Sequence, residues 1–173
     1  MYFKEIRSQN SLVTSLMWFL TDWTSIALYF VYLAILIHGL LGRNRRQVRF
    51  VLVFIGVQIF VSAILVQITK MAVGRPRPMP ALNGTEHFSH FSTKNSFHSF
   101  PSGHTSEITG AAFPLANWFG RPSFSLFLGL IVALIGYSRI YLSMHHLSDV
   151  AGGMAAGVFA GLLNHYLCSR EQP

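Results

Sequence analysis

Residues Phe50 to Thr69 form an apolar run without a charge. As a helix rising ~1.5 Å per residue, its ~20 positions cross a hydrocarbon core of ~30 Å. Comparable runs extend from about Ser25 to Gly42, from Phe124 to about Leu142 and from Val150 to about Leu167. The segment Ser102 to Phe119 is interrupted by Glu107, Pro114 and Asn117. Its polar residues suit a helix facing a protein interior, so it too is read as a span. Near the N-terminus, Leu12, Val13, Leu16, Met17, Leu20 and Trp23 recur at helical spacing, which predicts an interfacial amphipathic helix within residues 1–24. A sixth span is the alternative there. The charged start Lys4, Glu5 and Arg7 is not followed by a small-residue cleavage site, which argues against a signal peptide. The pattern predicts an all-α, polytopic membrane bundle of five transmembrane helices plus an N-terminal interfacial helix, in one domain over residues 1–173.

Composition agrees with that picture. Of the 173 residues, 51% are hydrophobic and only 11% charged, less than half the charged share of a soluble domain. The mean hydropathy is +0.43. A formal charge of +7 would fit nucleic acid, but the apolar excess argues for cytoplasmic loops or an anionic ligand site instead. Arg43, Arg45, Arg46 and Arg49 crowd the short connection between the first two spans, which places it in the cytoplasm. Counting crossings from there sets the 79–100 loop outside and the turn at Gly120-Arg121-Pro122 inside. Cys168 is the single cysteine, so neither a disulfide framework nor a cysteine metal cluster is expected.

The same crossing count brings three polar clusters to one membrane face. They are Lys70 to Pro78, with Arg75 and Arg77; Pro101-Ser102-Gly103-His104; and Ser138-Arg139 followed by His145 and Asp149. Three cations, Lys70, Arg77 and Arg139, repel one another unless an anion sits among them. Phosphate answers that need, because guanidinium forks match its oxygens. Ser102 and Gly103 precede a helix, whose free N–H groups and positive dipole end favour an anion. Glycine there also admits close backbone approach. His145 and Asp149 stand four apart, one face of a helix, where a carboxylate would set the imidazole tautomer and leave the other nitrogen free to attack. Taken singly, each cluster also has a structural reading: a snorkelling anchor, a helix cap, a buried hydrogen bond.

Together these residues resemble the type 2 phosphatidic acid phosphatase superfamily. Its motifs Lys-x6-Arg-Pro, Pro-Ser-Gly-His and Ser-Arg-x5-His-x3-Asp match Lys70 through Arg77-Pro78, Pro101 to His104, and Ser138-Arg139 through His145 to Asp149. The resemblance covers roughly residues 50–165. It implies that His145 is the nucleophile, that Asp149 orients it, and that His104 protonates the leaving oxygen and then activates water. It also implies that Lys70, Arg77, Ser102, Gly103 and Arg139 hold the phosphate oxygens without a metal or another cofactor. Spacing selects Arg77 over Arg75, which is left at the rim.

The expected activity is removal of phosphate from a membrane lipid through a phosphohistidine, in a bacterial inner membrane with the site facing the periplasm. Lipid A 1-phosphate is the first choice of substrate. Phosphatidylglycerol phosphate, undecaprenyl pyrophosphate and phosphatidate are the alternatives. A lipid-to-lipid phosphotransferase, a haloperoxidase and a non-catalytic anion-binding module are the rivals. The expected partners are the bilayer and the lipid phosphate, with no nucleic acid and no obligate protein partner. In the outer loop, Phe88, Phe91, Phe97 and Phe100 alternate with His87, His90 and His98. A flap gripping lipid is the favoured reading, since the histidine spacing lacks a tight zinc pattern. Glu107 is expected either to tune His104 or to bond between helices. His38 and His165 are expected as interior contacts, His146 as a structural or rim residue, and Gly153, Gly157 and Gly161 as a close-packing seam.

Overall fold

The computed structural model describes residues 11–78 and 87–170. Lys4, Glu5, Arg7 and the first part of the expected outer loop lie outside the described residues. Five long helices make up the fold, with no strand among the described residues. We label them α1 (Ser11–Leu41), α2 (Arg45–Val73), α3 (Gly103–Phe119), α4 (Pro122–Tyr141) and α5 (Leu147–Ser169). By length and apolar composition, α1, α2, α4 and α5 can cross a membrane. The fifth, α3, is 17 residues long and carries Pro114.

Local chemistry sets the helix ends. Asn44 caps α2, its side-chain oxygen accepting from the N–H groups of Arg46 and Gln47. Ser102 caps α3, and Gly120 ends it in the left-handed conformation at φ 60°. Pro122 then opens α4, where its missing N–H costs nothing. Within α2, Ile59–Leu65 is wound as a π-helix, which shifts the register of the following turns.

One sequence expectation changes. The anticipated interfacial helix and first span are not separate: Ser11–Leu41 is continuous, about 46 Å long at 1.5 Å per residue. No turn signal divides it, since Thr21-Asp22-Trp23-Thr24 contains neither glycine nor proline. Its early residues Val13, Met17 and Leu20 pack against Tyr141, Leu142 and Met144, while Leu12, Leu16 and Trp23 stay exposed. Further along, the Tyr32 ring stacks on Phe54 at 3.5 Å between centroids, and its hydroxyl donates to the Ala111 carbonyl at 2.8 Å.

The expected glycine seam lies between α5 and α3. A Cβ on Gly153 would sit 2.4 Å from the Ser102 carbonyl oxygen, on Gly157 2.4 Å from Thr109 Cβ, and on Gly161 2.4 Å from the Phe113 ring. The helices therefore meet at backbone distance, which holds the N-terminal ends of α3 and α5 side by side. Gly157→Ala is expected to destabilise the protein by about 1–3 kcal/mol through overpacking. A thermal midpoint in detergent equal to that of the parent would contradict this.

Candidate active site

The helix ends that carry the three clusters meet at one end of the bundle. Lys70 lies in the last turn of α2, which stops at Gly74 with φ +59°. A Cβ at Gly74 would come 1.9 Å from the Ser89 carbonyl oxygen, so the outer loop can lie across this helix end only over glycine. Ser89 N–H donates to the Gly74 carbonyl at 2.8 Å, and Phe91 N–H to the Met71 carbonyl at 2.7 Å. Arg77 is fixed by the same loop: its backbone N–H donates to Ser96 O at 2.8 Å and its Nε to Asn95 O at 3.0 Å.

Across from these cations, Ser102 is fully buried and turned into α3, bonding Thr105 Oγ1 at 2.9 Å. Its backbone N–H donates to the Asp149 carbonyl at 2.8 Å. Ser102 thus ties α3 to α5 through its backbone N–H and caps α3 with its side chain. Gly103 does line the approach to the cations, since a Cβ there would fall 2.8 Å from Lys70 Nζ. His104, in the first turn of α3, lies within electrostatic range of Arg139, His145, Lys70 and Arg77. Early N–H groups of a helix lack intrahelical acceptors, so this end also offers donors to an anion.

His145 precedes α5 instead of lying on it, because the helix begins at Leu147 with His146 as its N-cap. The expected shared helical face is therefore replaced by a loop geometry. His145 Nδ1 donates to the Ser99 carbonyl at 2.7 Å and lies 3.8 Å from Asp149 Oδ2, beyond hydrogen-bond reach. A carbonyl can only accept, so Nδ1 carries the proton and Nε2 keeps its lone pair. Burial holds the His145 pKa below the usual 6.5; the Arg77 and Arg139 charges add to this, while Asp149 and Ser99 oppose it.

Asp149, fully buried, is gripped by three donors. Ser99 Oγ reaches Oδ2 at 2.5 Å, His146 N–H reaches Oδ2 at 2.8 Å, and Arg75 Nη1 reaches Oδ1 at 2.7 Å. Arg75 Nη1 also donates to Ser148 Oγ at 2.6 Å. Sequence reasoning placed Arg75 at the rim and missed Ser99 altogether. The second Arg-Pro pair was the available signal for Arg75; nothing in the periodicity marks Ser99.

Arg139 is 3% exposed, and its Nε is buried with no hydrogen-bond partner among the described residues. Its charge acts on Lys70 and is acted on by Arg77 and Asp22. The Arg139 carbonyl accepts from Met144 N–H at 3.0 Å and His145 N–H at 3.3 Å, which draws the His145 loop back over α4. Beside it, Ser138 Oγ hydrogen-bonds Thr21 of α1 at 2.7 Å.

Other polar side chains singled out in the sequence make separate contacts. Glu107 accepts from the Tyr29 hydroxyl at 2.7 Å, the interhelical alternative. His146 Nε2 reaches the Pro76 carbonyl at 3.4 Å, a structural contact. In the loop, His90 bonds the Ala72 carbonyl and His98 the Ser92 carbonyl. Among the described residues, no three His, Cys, Asp or Glu side chains are grouped to hold a metal. His38 and His165 are exposed, not interior as expected; His38 pairs with Gln47 just beyond the first connection.

Residues 50–172 match the model of the PAP2 superfamily. The chain is 32% identical over 110 residues to a lipid A 1-phosphatase of Rhizobium johnstonii, covering 63% of this chain and 44% of the relative. It is 31% identical over 134 residues to a lipid A 1-phosphatase of Rhizobium etli, covering 75% and 56%. An undecaprenyl-diphosphatase of Bacillus subtilis, BcrC, is 28% identical over 155 residues, covering 89% and 74%. The chain spans about half the length of the two lipid A phosphatases it matches. No solved structure matches it. With a family match across more than two thirds of its length, the chain belongs to the PAP2 superfamily.

Proposed function

We propose that the protein is an integral membrane lipid phosphatase, one domain over residues 1–173, that cleaves a lipid phosphomonoester or pyrophosphate through a phosphohistidine. The observation that carries this reading is the buried, unpartnered Nε of Arg139 beside two imidazoles and two further cations. Buried donors are rarely left without an acceptor, and a phosphoryl oxygen supplies one. In the proposed reaction, His145 Nε2 forms a bond to phosphorus as the bond to the lipid oxygen breaks. His104 donates a proton to that oxygen and then takes one from the attacking water, which releases inorganic phosphate and restores His145. Lys70, Arg77, Arg139 and the N–H groups near Gly103 stabilise the charge that develops on the equatorial oxygens. Ser102 and Asp149 hold the α3 and α5 ends that present these groups.

Lipid A 1-phosphate is the proposed substrate, supported by the two rhizobial relatives. Undecaprenyl diphosphate is the second reading, favoured by the longer match to BcrC. The four arginines 43, 45, 46 and 49 at the opposite end support a periplasmic site in a bacterial inner membrane.

The test is phosphate release from a panel of lipid A 1-phosphate, undecaprenyl diphosphate, phosphatidylglycerol phosphate and phosphatidate in detergent. The expected result is release from lipid A 1-phosphate at least about tenfold faster than from the others, blocked by vanadate and unaffected by EDTA. Release from none of them would overturn the phosphatase reading. Transfer of label to a second lipid instead of water would make the protein a phosphotransferase.

A further inference from the structure

The described part of the outer loop folds back along the end of α2. Ser89 N–H donates to the Gly74 carbonyl at 2.8 Å, His90 Nδ1 to the Ala72 carbonyl at 3.1 Å, and Phe91 N–H to the Met71 carbonyl at 2.7 Å. As the loop advances from 89 to 91, its partners on α2 retreat from 74 to 71. At ~1.5 Å per residue, the Phe91 backbone therefore sits about 4.5 Å below the end of a helix able to cross a membrane. Ile68 and Ile64 stand three and seven residues before Met71, on the same helical face, and both are exposed.

The aromatic residues of this turn are out of place in water. Phe91 is 81% exposed, and Phe88, its ring stacked on His90 at 6.2 Å between centroids, is exposed as well. Ser92 N–H donates to the Ser89 carbonyl at 3.2 Å, which closes a turn with Phe91 at its third position, φ 57°. Glycine or asparagine is usual at such a position, and a bulky residue there costs backbone energy. A ring this exposed gains little from the chain's own packing, so a partner outside the chain offsets the cost. The turn itself is tied down, since buried His98 donates from Nε2 to the Ser92 carbonyl at 2.7 Å. Beyond it, Thr93, Lys94 and Asn95 are exposed polar residues.

We infer that Phe88 and Phe91 form a fixed anchor, inserted among the acyl chains of the leaflet on the candidate site's side. The bilayer is the occupant because the turn runs down the face of α2 on which Ile68 and Ile64 are exposed one and two turns deeper. Aromatic rings concentrate at this depth, between hydrocarbon and headgroups. Lys94 and its polar neighbours then stand at the headgroup side of the turn. Asn95 and Ser96 of the same loop hold Arg77, so the anchor sets the depth of one cation of the candidate site. The inference rests on α2 crossing the membrane and not on the phosphatase reading.

Nitroxide collision rates in vesicles of phosphatidylethanolamine and phosphatidylglycerol test this, with oxygen as the lipid-soluble reagent and a nickel chelate as the water-soluble one. In the full chain carrying Cys168→Ser, single labels enter through Phe88→Cys, Phe91→Cys or Lys94→Cys, all exposed positions that folding tolerates. The expected result is an excess of oxygen collisions at 88 and 91 and of nickel collisions at 94. For rings buried to acyl depth, the oxygen-to-nickel ratio should differ by about tenfold or more between 91 and 94. A nickel excess at 88 and 91 would put the loop in water and overturn the anchor. Equal ratios at all three positions would overturn it too, since the label at 94 reports any insertion driven by the nitroxide itself. Protection of 88 and 91 from both reagents would mark a protein partner or a second copy in place of the bilayer. Phosphate release is not read, so failure here leaves the phosphatase reading standing.

Discussion

Replacing His145 with alanine is expected to lower phosphate release by about 10⁴-fold or more, while the protein keeps its helical content. Loss of a catalytic nucleophile has effects of this size in enzymes that form covalent intermediates. The side chain is 2% exposed and donates to the Ser99 carbonyl, so its removal leaves a void and an unpaired buried acceptor, a stability cost of about 1–3 kcal/mol that is separate from the loss of rate. The pH dependence gives a second check. Attack requires neutral imidazole, and burial with nearby cations holds the His145 pKa below 6.5. The nucleophile is therefore competent at neutral pH, and activity is lost as pH falls through a value under 6.5. An acidic limb of the free-enzyme profile centred above 6.5 would contradict the assignment, as would parental rates in His145→Ala.

The second large effect falls on a residue that the family motif passes over. Arg75→Ala is expected to reduce kcat by about 10²-fold with little change in KM. Arg75 grips Asp149 at 2.7 Å and Ser148 at 2.6 Å. Removing one partner of a buried ion pair leaves the other charge uncompensated, a cost of about 3–5 kcal/mol where burial is complete. Arg75 is 25% exposed, so solvent screens part of that stability cost, and the loss of rate comes instead through the orientation of Asp149. Asp149 receives the Ser99 hydroxyl and the His146 N–H on the same oxygen that neighbours His145. A carboxylate freed to rotate would loosen both contacts and misplace the imidazole. Arg75→Lys should restore part of the rate, because one N–H donor still reaches Oδ1. A fall in KM affinity with unchanged kcat would instead make Arg75 a substrate contact.

Much of this arrangement was legible in the chain. Hydrophobic run lengths located α2, α4 and α5 to within a few residues, because helices flanked by arginines, glycine and proline announce their ends. The spacing Gly153, Gly157, Gly161 marked the α5 face that meets α3, since small residues at one helical position leave no other use. The three polar clusters do converge, as the crossing count required. Hidden features were those set by tertiary geometry rather than by periodicity. The carbonyl of Ser99, not a side chain, holds His145, and a backbone group carries no residue-type signature. His145 and Asp149 looked like a helical pair because four-residue spacing is the same on paper whether or not the helix has begun. Ser102 matched a phosphate-binding motif, and its hydroxyl also bonds Thr105 within α3 while its amide donates to the Asp149 carbonyl of α5. The continuity of α1 was missed because a charge at Asp22 resembles a boundary, whereas a lone aspartate can lie on an exposed face.

That first helix lies wholly before residue 50, where the family match begins. Thr21 nevertheless touches Ser138, one residue from the buried guanidinium, while Tyr29 and Tyr32 bond Glu107 and Ala111 on the helix that carries His104. A fragment trimmed to the matched region would strip the outer wall from two of the three motifs. Engineering a minimal version of this protein therefore has to start upstream of the signature, at the rod that contains none of it.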